Sequence, residues 1–495
     1  MSSRNWLARF LVFPRPLAAL LAAATVLSVA WTLFTPPLSG PDESGHAGYV
    51  QQLAQTGNGP SVGATSGHPV SSELQALITW RNLDSVISVS TARPGWSAAE
   101  HAAWEKAARD ADRGDGDGPN PLAQNPPLYY GYDALAYDLG RSFSLPTRLL
   151  LMRLANLPLL WITIGCGWLA LGEVFRRSGT FARTVGTGAI ALLPMLTFMS
   201  GVINPDIALT ATFTAAIALS LAALRLGPQP GILLGLGALG GVATLVHARG
   251  LAILPPLLLV MAVVLWRGRG APAGRRRAAF AGAGLSLMAF GTLAAIVYSN
   301  HHAGGTSLTG ELTGSSTSSV DDVSGLFDYV WQFYLTPLTG QEPPPADVVL
   351  GYRQIFVEQF LTGEFGSLEV HFSDTIYSLM KIAQGLGLIA LIAILARRWE
   401  RVRAHAAQGI VLLAFVVSML GLLHLAAWQD LKEAQASLLA GRYLLPLVSV
   451  FAIAVTAVLV SIPPRAKVVL GSAILASGAA LSVGGLALTA VRFYA

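Results

Sequence analysis

Charge is what this chain has least of. Asp, Glu, Lys and Arg make up 12% of its 495 residues, against 53% hydrophobic residues. Soluble domains carry roughly 25% charged residues, so composition excludes an ordinary soluble enzyme. Cysteine is almost absent too. The single thiol, Cys166, lies in an apolar run, and one cysteine forms no intramolecular disulfide. The chain also lacks a continuous basic patch. Its net charge is +5, but the arginines fall in short clusters between apolar runs, so no nucleic acid is expected as a partner. It lacks a clear internal repeat and carries few charges inside the apolar runs, Lys381 being the main exception. Both absences count against a transporter. After the first apolar run, "SVAWTLFTPP" offers no small-x-small cleavage site, so that run is expected to stay as an anchor.

What is abundant is apolar sequence of membrane-crossing length. A helix needs roughly 20 apolar residues to span a bilayer. Such runs lie near 17–35, 149–172, 184–202, 206–225, 231–247, 250–266, 278–298, 376–396, 408–428, 443–462 and 467–489, which gives about eleven expected transmembrane helices. The Gly-rich pair over 231–266 is expected to be broken or tilted, as is allowed where protein or a cavity covers the backbone. Arg4, Arg9 and Arg15 precede the first run. Arg176, Arg177 and Arg183 follow the second, Arg225 the fourth, and Arg267, Arg269, Arg275, Arg276 and Arg277 the sixth. Arg397, Arg398, Arg401 and Arg403 follow the eighth, and Arg465 and Lys467 the tenth. Alternating spans put every cluster on one side, the cytoplasm. The expected organisation is a multi-pass protein of the cell membrane. It has a cytoplasmic N-terminus (1–16), a first helix (17–35), an outer segment (36–148) and helices two to seven (149–298). A second outer segment (299–375), helices eight to eleven (376–495) and an extracytoplasmic C-terminus complete it.

The outer segments carry their own short helices. "SSELQALITW" and "SAAEHAAWEKAARDA" have helical periodicity, and "DADRGDGDGPNP" is a turn-rich break. In the second segment, "VSGLFDYVWQFYL" and "GYRQIFVEQFL" are aromatic and amphipathic, suited to a membrane interface. The fold class expected is therefore an all-α integral membrane bundle with an extracytoplasmic cap of short helices.

Polar motifs gather on the outer side. "PDESGH" places Asp42, Glu43 and His46 just after the first span. "QNPPLYY" brings Asn125, Tyr129 and Tyr130, "NPD" brings Asn204 and Asp206, "HARG" brings His247 and Arg249, "GEFGSLEVHFSD" brings His371, and "GRYLLP" brings Arg442 and Tyr443. Arg249 and Arg442 are cations on the outer side, where Lys and Arg are sparse, so each calls for an anionic partner, and a phosphate suits a guanidinium. "NPD" fits a helix start as well, with Asn as cap and Pro at the first helical position. His301 and His302 border a Ser/Thr/Gly tract without neighbouring ligands, and the acids at 110, 112, 115 and 117 miss the calcium-loop pattern, with Pro121 at its twelfth position. No metal-ligand set is assigned.

In this order, "PDExxH", "PPLYY", "NPD" and "GRYLLP" resemble a family of bacterial predicted membrane proteins of unknown function. That family is similar to the GT-C superfamily of membrane glycosyltransferases. The resemblance runs from about 17 to 465. It implies a GT-C-like bundle, a polyprenyl-phosphate-linked sugar as donor, an acceptor outside the cytoplasm (an envelope glycan, lipid or protein) and a catalytic carboxylate in the first outer segment.

Glycosyl transfer from a lipid phosphate needs a base for the acceptor hydroxyl and a cation for the departing phosphate. Asp42 is the expected base, with Glu43 second and His46 in support. Two adjacent carboxylates rarely point the same way, so the other is expected to be structural or to contact a metal. Arg442, Tyr443, Arg249 and His247 are expected at the donor phosphate and sugar. Asn125, Tyr129, Tyr130, Asn204, Asp206 and His371 are expected at the acceptor or as structural groups. No cofactor is called for, and the chemistry leaves room for a divalent metal. Two other classes stay open: a transporter or flippase of lipid-linked saccharides, and a non-catalytic scaffold for envelope assembly. Convergence of Asp42, Glu43, Arg249 and Arg442 would favour the enzyme, and scattering would favour the scaffold.

Overall fold

The computed structural model describes residues 14–61, 63–89, 92, 97–301, 322–335, 338–341, 358–432 and 439–494. Arg4, Arg9, His302 and most of "GYRQIFVEQFL" lie outside these. The described residues are helical almost throughout, with one isolated two-residue bridge, Phe365 to Val370. Eight segments among them are long and apolar enough to cross a membrane: Arg15–Phe34, Leu145–Val174, Asp206–Leu226, Ala248–Gly270, Asp374–Arg397, Ala406–Trp428, Gly441–Leu459 and Pro464–Tyr494. The other three expected passes are helical but differ in form. The run at 184–202 is two helices, Thr180–Ala191 and Pro194–Met199, because Pro194 begins a new helix rather than continuing one. The run at 231–247 is the 17-residue helix Pro230–Val246. The run at 278–298 lies within Ala273–His301.

Asp206–Leu226 is the centre of the bundle. In its apolar window 89% of residues are buried, so it is a helix that touches protein on nearly every side. It packs on Leu157–Val174, on Pro230–Val246 and on the 3₁₀ turn Gly441–Leu447. By contrast, no residue in the window of Asp374–Arg397 is buried, and Leu386, Ile389 and Ile392 on it are exposed. A helix so apolar and so bare suits contact with lipid tails. The expected break near 231–266 is real. His247 is extended (φ −159°, ψ 147°), Ala248–Ile253 is a 3₁₀ turn, and Leu254–Arg267 resumes the α-helix. Gly250 is required there, since a Cβ would sit 1.9 Å from the Ala243 carbonyl oxygen.

The expected second span, 149–172, begins earlier and is interrupted. Leu145–Leu154 and Leu157–Val174 are separate helices joined at Ala155 and Asn156. This step brings Arg153 and Asn156 to the inside of the fold, both buried.

The cap of short helices comprises Glu43–Thr56, Ser72–Trp80, Leu83–Ser88, Ala98–Asp110 and Leu128–Leu139. Ser71 caps Ser72–Trp80 by accepting the Leu74 amide at 3.2 Å. Buried Glu73 is the polar pin of the cap. It pairs with Arg148, which is fully buried, and with Arg113 at 3.2 Å, and it accepts from Gln51 Nε2 at 2.8 Å. Two backbones also approach closely in the cap, where a Cβ on Gly118 would lie 2.4 Å from the Gly67 carbonyl carbon. The "GEFGSLEV" turn plugs the bundle with Phe365, stacked on Trp31 at 4.5 Å and set edge-on to Phe198 at 5.5 Å.

Near the end of the last helix, Arg492 donates to the carbonyls of Ala92 (2.6 Å) and Val86 (2.8 Å), so the end of the chain lies against the first outer segment. A reporter fused after Ala495 should therefore be active only outside the cytoplasm, and one fused at Gly270 only inside. Activity of both fusions on one side would refute the expected orientation.

Candidate functional site

Asp42 and Glu43 are adjacent, yet the chain sends them in opposite directions. Asp42 takes the left-handed conformation (φ 57°, ψ 13°) just before helix Glu43–Thr56. Asp tolerates this region better than most residues, at a cost of about 1–2 kcal/mol. Its side chain does not cap the helix. It is 53% exposed and accepts a 2.6 Å hydrogen bond from Arg442 Nη2. Glu43 points inward, and its side chain is 0% exposed. Arg153 meets it with two parallel bonds, Nε to Oε1 and Nη2 to Oε2, each 2.7 Å. The Gly40 amide (2.9 Å) and the Ile203 amide (3.0 Å) complete its shell. Arg153 in turn donates to the carbonyls of Thr32 (3.0 Å), Thr35 (2.6 Å) and Pro36 (2.7 Å).

Of the two roles expected for the second carboxylate, this geometry suits the structural one: the Glu43 oxygens are occupied by four donors. Sequence reasoning missed its partner. Arg153 lies inside the expected second span, and an arginine within a span was itself a signal.

His46 sits one turn after Asp42, its amide bonded to the Asp42 carbonyl at 3.1 Å. The Tyr130 hydroxyl lies 2.9 Å from His46 Nδ1 and accepts from Asn125 Nδ2 at 3.0 Å. Tyr130 also stacks on Tyr49, ring centroids 3.8 Å apart. Burial drives the His46 pKa down to about 4, against the pull of Asp42 and Asp206, so the imidazole is neutral at pH 7. Burial pushes the Asp42 carboxyl up, but the charge of Arg442 and its hydrogen bond outweigh this and hold it below 3.8.

Asp206 opens the central helix and is 2% exposed. Asn204 Oδ1 accepts the Asp206 amide at 2.9 Å, and Asn204 Nδ2 donates to the Pro41 carbonyl at 3.2 Å. "NPD" is thus a helix cap and a tie to the "PDE" turn at once. Tyr129 is buried beside it, accepting the Asn204 amide at 3.0 Å and donating to Asn156 at 3.3 Å. Asp206 Oδ1 accepts from Arg249 Nη2 at 2.7 Å, and Oδ2 lies 3.6 Å from Arg442 Nε. The Arg249 guanidinium lies 3.8 Å above the Tyr443 ring, and that of Arg442 lies 5.2 Å from it. His247 Nδ1 accepts the Arg249 amide at 3.1 Å. Burial, reinforced by the charge of Arg249, keeps the His247 pKa well below 6.5.

Asp42, Asp206, Arg249 and Arg442 therefore form one cluster, with Tyr443, His46 and His247 around it. Its donors are not all used. Among the described residues, Arg249 Nη1 and Arg442 Nη1 are buried without a hydrogen-bond acceptor, and Arg442 Nε and Asp206 Oδ2 meet only as the 3.6 Å ion pair. A buried unpartnered polar group costs about 1–3 kcal/mol, more when charged. Nη1 of both arginines thus keeps donor capacity that the closed cluster does not use. His371 stands apart: its side chain is exposed, with Nδ1 3.1 Å from the Phe372 carbonyl.

Among the described residues, no three His, Cys, Asp or Glu side chains are arranged to hold a metal ion. The two carboxylates of the cluster already face guanidiniums, so the donor set does not fit a divalent cation. A cavity of about 710 Å³ lies elsewhere, lined by Arg397, Arg398, Trp399, Arg401 and Ser461 among others, and none of the expected site residues borders it.

Comparison with known proteins defines the class. Residues 26–451 match the family described as predicted membrane protein (DUF2142), and the chain belongs to that family. No curated protein matches it. Among solved structures it is similar to ArnT from Cupriavidus metallidurans bound to undecaprenyl phosphate, with 15% identity and a TM-score of 0.45, covering 96% of this chain and 64% of that one. It is also similar to an oligosaccharyltransferase from Archaeoglobus fulgidus in complex with zinc and sulfate, with 13% identity and a TM-score of 0.48, covering 95% and 53%. A third is AglB from the same organism, with an inhibitory peptide and a dolichol-phosphate, at 13% identity and a TM-score of 0.49, covering 97% and 56%. The chain thus spans between about half and two thirds of the length of these three neighbours. The likeness is one of helical arrangement, and no residue role is carried across from it.

Glu43→Gln leaves Arg153 as a buried cation without its counter-charge. Breaking such a pair costs about 3–5 kcal/mol, so the variant should melt well below the wild type in detergent. A melting temperature within a degree or two of wild type would mean that the pair is not the lock described here. A second expectation concerns acid. Unfolded His46 takes a proton near pH 6.5 and the folded residue only near 4, so its burial stabilises the fold at neutral pH and that contribution fades as pH falls between those values. The loss of stability from pH 7 to 4 should be smaller in His46→Gln than in the wild type, and equal losses would contradict it.

Proposed function

We propose that the protein is a glycosyltransferase that moves a sugar from a polyprenyl-phosphate donor to an acceptor outside the cytoplasm. One observation carries this reading: unpartnered N–H groups of buried Arg442 and part-buried Arg249 converge beside a half-exposed carboxylate. ArnT and AglB contain lipid phosphates in the structures named above, but the reading rests on the charges of this chain.

The chemistry follows from those charges. In the donor the phosphate is a diester with one negative charge. As the bond between the anomeric carbon and the phosphate oxygen breaks, that oxygen keeps the electron pair and the lipid phosphate approaches a dianion. Arg442 and Arg249 stabilise the charge where it develops, which is where stabilisation accelerates a reaction. The acceptor hydroxyl oxygen forms the new bond to the anomeric carbon. Its proton goes to Asp42 and then to water. One exposed carboxylate and no second nucleophile beside it suit a single displacement, with inversion at the sugar. Tyr443 keeps both guanidiniums over its ring face, and neutral His46 flanks Asp42.

The membrane body supplies the geometry. The cluster lies at the ends of apolar helices on the side of the cap, where a lipid phosphate would sit at the interface. The orientation expected from the arginine clusters makes this the outer face.

With purified, reconstituted protein and a labelled polyprenyl-phosphate sugar, Asp42→Asn should lower turnover by a factor of about 10² to 10⁴, the usual weight of a general base. Arg442→Lys should keep the fold and weaken donor binding, because the ammonium lacks the guanidinium fork. Near-normal turnover in Asp42→Asn would remove Asp42 as the base, and absence of turnover in the wild type would favour the scaffold reading. Unchanged donor affinity in Arg442→Ala would remove the phosphate site.

A further inference from the structure

The arrangement of the four charges goes one step beyond the reading above, on which it rests. We infer that the donor phosphate displaces Asp42 from Arg442, so that the base is set free only when the leaving group's site is filled. Asp206 is the positioning residue that holds both arginines while this happens.

The two acids of the cluster are not equivalent. Asp206 is 2% exposed, lies at the start of the most buried helix and has its amide tied by Asn204. One oxygen holds Arg249 at 2.7 Å and the other faces Arg442 Nε at 3.6 Å. It has nowhere to go. Asp42 has one side-chain hydrogen bond, the 2.6 Å contact with Arg442 Nη2, and over half of its side chain is exposed. Rotating it outward exchanges that bond for water, and no other side-chain hydrogen bond of Asp42 among the described residues is lost. Of the two counter-ions, only Asp42 can leave cheaply.

Charge balance favours the exchange. Two guanidiniums and two carboxylates sum to zero, so the closed cluster has no net attraction for an anion. With Asp42 turned out, Arg249, Arg442 and Asp206 sum to +1, which matches a phosphodiester monoanion. The donor then replaces Asp42 on Arg442 Nη2 and also reaches Nη1 of both arginines, which have no acceptor in the closed cluster. A guanidinium-bound carboxylate is a weak base, and a carboxylate released from it is a stronger one. Filling the phosphate site and arming the base are then one event.

The test measures binding without chemistry. The probe is farnesyl phosphate, a short polyprenyl monophosphate with no sugar, and farnesol is the control without phosphate. Removing the internal competitor should help the ligand: Asp42→Asn should bind farnesyl phosphate about 5- to 10-fold more tightly than the wild type, with farnesol binding unchanged. Asp42→Gly is the second variant. Glycine adopts a φ of 57° without steric cost, so this variant keeps the fold and should tighten binding likewise. Asp206→Asn also removes one negative charge but should weaken binding, because it loosens the arginines. Unchanged or weaker binding in both Asp42 variants would overturn the displacement. So would equal tightening in Asp206→Asn, since net charge alone would then explain the effect. A wild type that binds farnesyl phosphate no better than farnesol would instead sink the phosphate site itself, and the two failures are distinguishable.

Discussion

The bidentate pair between Glu43 and Arg153 is the interaction on which the rest of the site depends. It is buried on both sides and joins four parts of the chain. These are the end of the first helix at Thr32, Thr35 and Pro36, the turn at Gly40, the helix Leu145–Leu154, and the approach to the central helix at Ile203. Two charges removed from water are costly, and their mutual attraction repays that only with close geometry and further hydrogen bonds. Both conditions hold, since nearly every polar atom of the two side chains is occupied. A buried pair of this kind adds little net stability over an apolar isostere. What it adds is uniqueness of arrangement, because a shift of any of the four parts would strand a charge.

That lock explains the adjacent carboxylates. With Glu43 fixed inward, the residue before it must face the other way, and the left-handed backbone at Asp42 turns it toward Arg442. One acid builds the site and its neighbour works at its surface. Asn204 repeats the economy, since one side chain caps the central helix and ties it to Pro41. Asp206, His46 and Asp42 are therefore set by the same few contacts. Arg249 and Arg442 approach them from two separate 3₁₀ turns, Ala248–Ile253 and Gly441–Leu447.

Much of this was legible in the sequence, for physical reasons. Apolar runs of crossing length and arginine clusters between them give an all-helical membrane body, and alternation places the polar motifs at one end of it. Motifs confined to one end of a bundle have few places to go, so Asp42, His46, Asp206, Arg249 and Arg442 meet. What could not be read was lateral order. That Asp206 stands beside Arg249 depends on which helices are neighbours, and hydropathy carries no information about that. The break at Ala155 and Asn156 was hidden inside one long apolar run, and with it the burial of Arg153. The split at Pro194 was signalled by the proline itself. That Asp42 and Glu43 would diverge was legible from their adjacency, but the left-handed backbone at Asp42 that turns one outward and the other inward leaves no trace in composition.

The cluster's free N–H groups acquire their meaning from the membrane. In water, an unpartnered guanidinium donor is solvated and costs nothing. At the end of an apolar bundle, where helices such as Asp374–Arg397 expose Leu386, Ile389 and Ile392, water is less able to substitute for a ligand, and attraction between charges is stronger than in bulk solvent. A phosphate on a lipid tail arrives in that same layer, with its tail in the apolar phase and its charge at the interface. The protein then needs only to hold cations at that depth and keep them from pairing completely with their own carboxylates. Asp206 satisfies the arginines in part, through one close oxygen and one distant one, and Asp42 covers the remainder from the side open to solvent. Partial neutralisation of this kind lets two cations share a buried site without repelling each other apart, while leaving them an appetite for an anion.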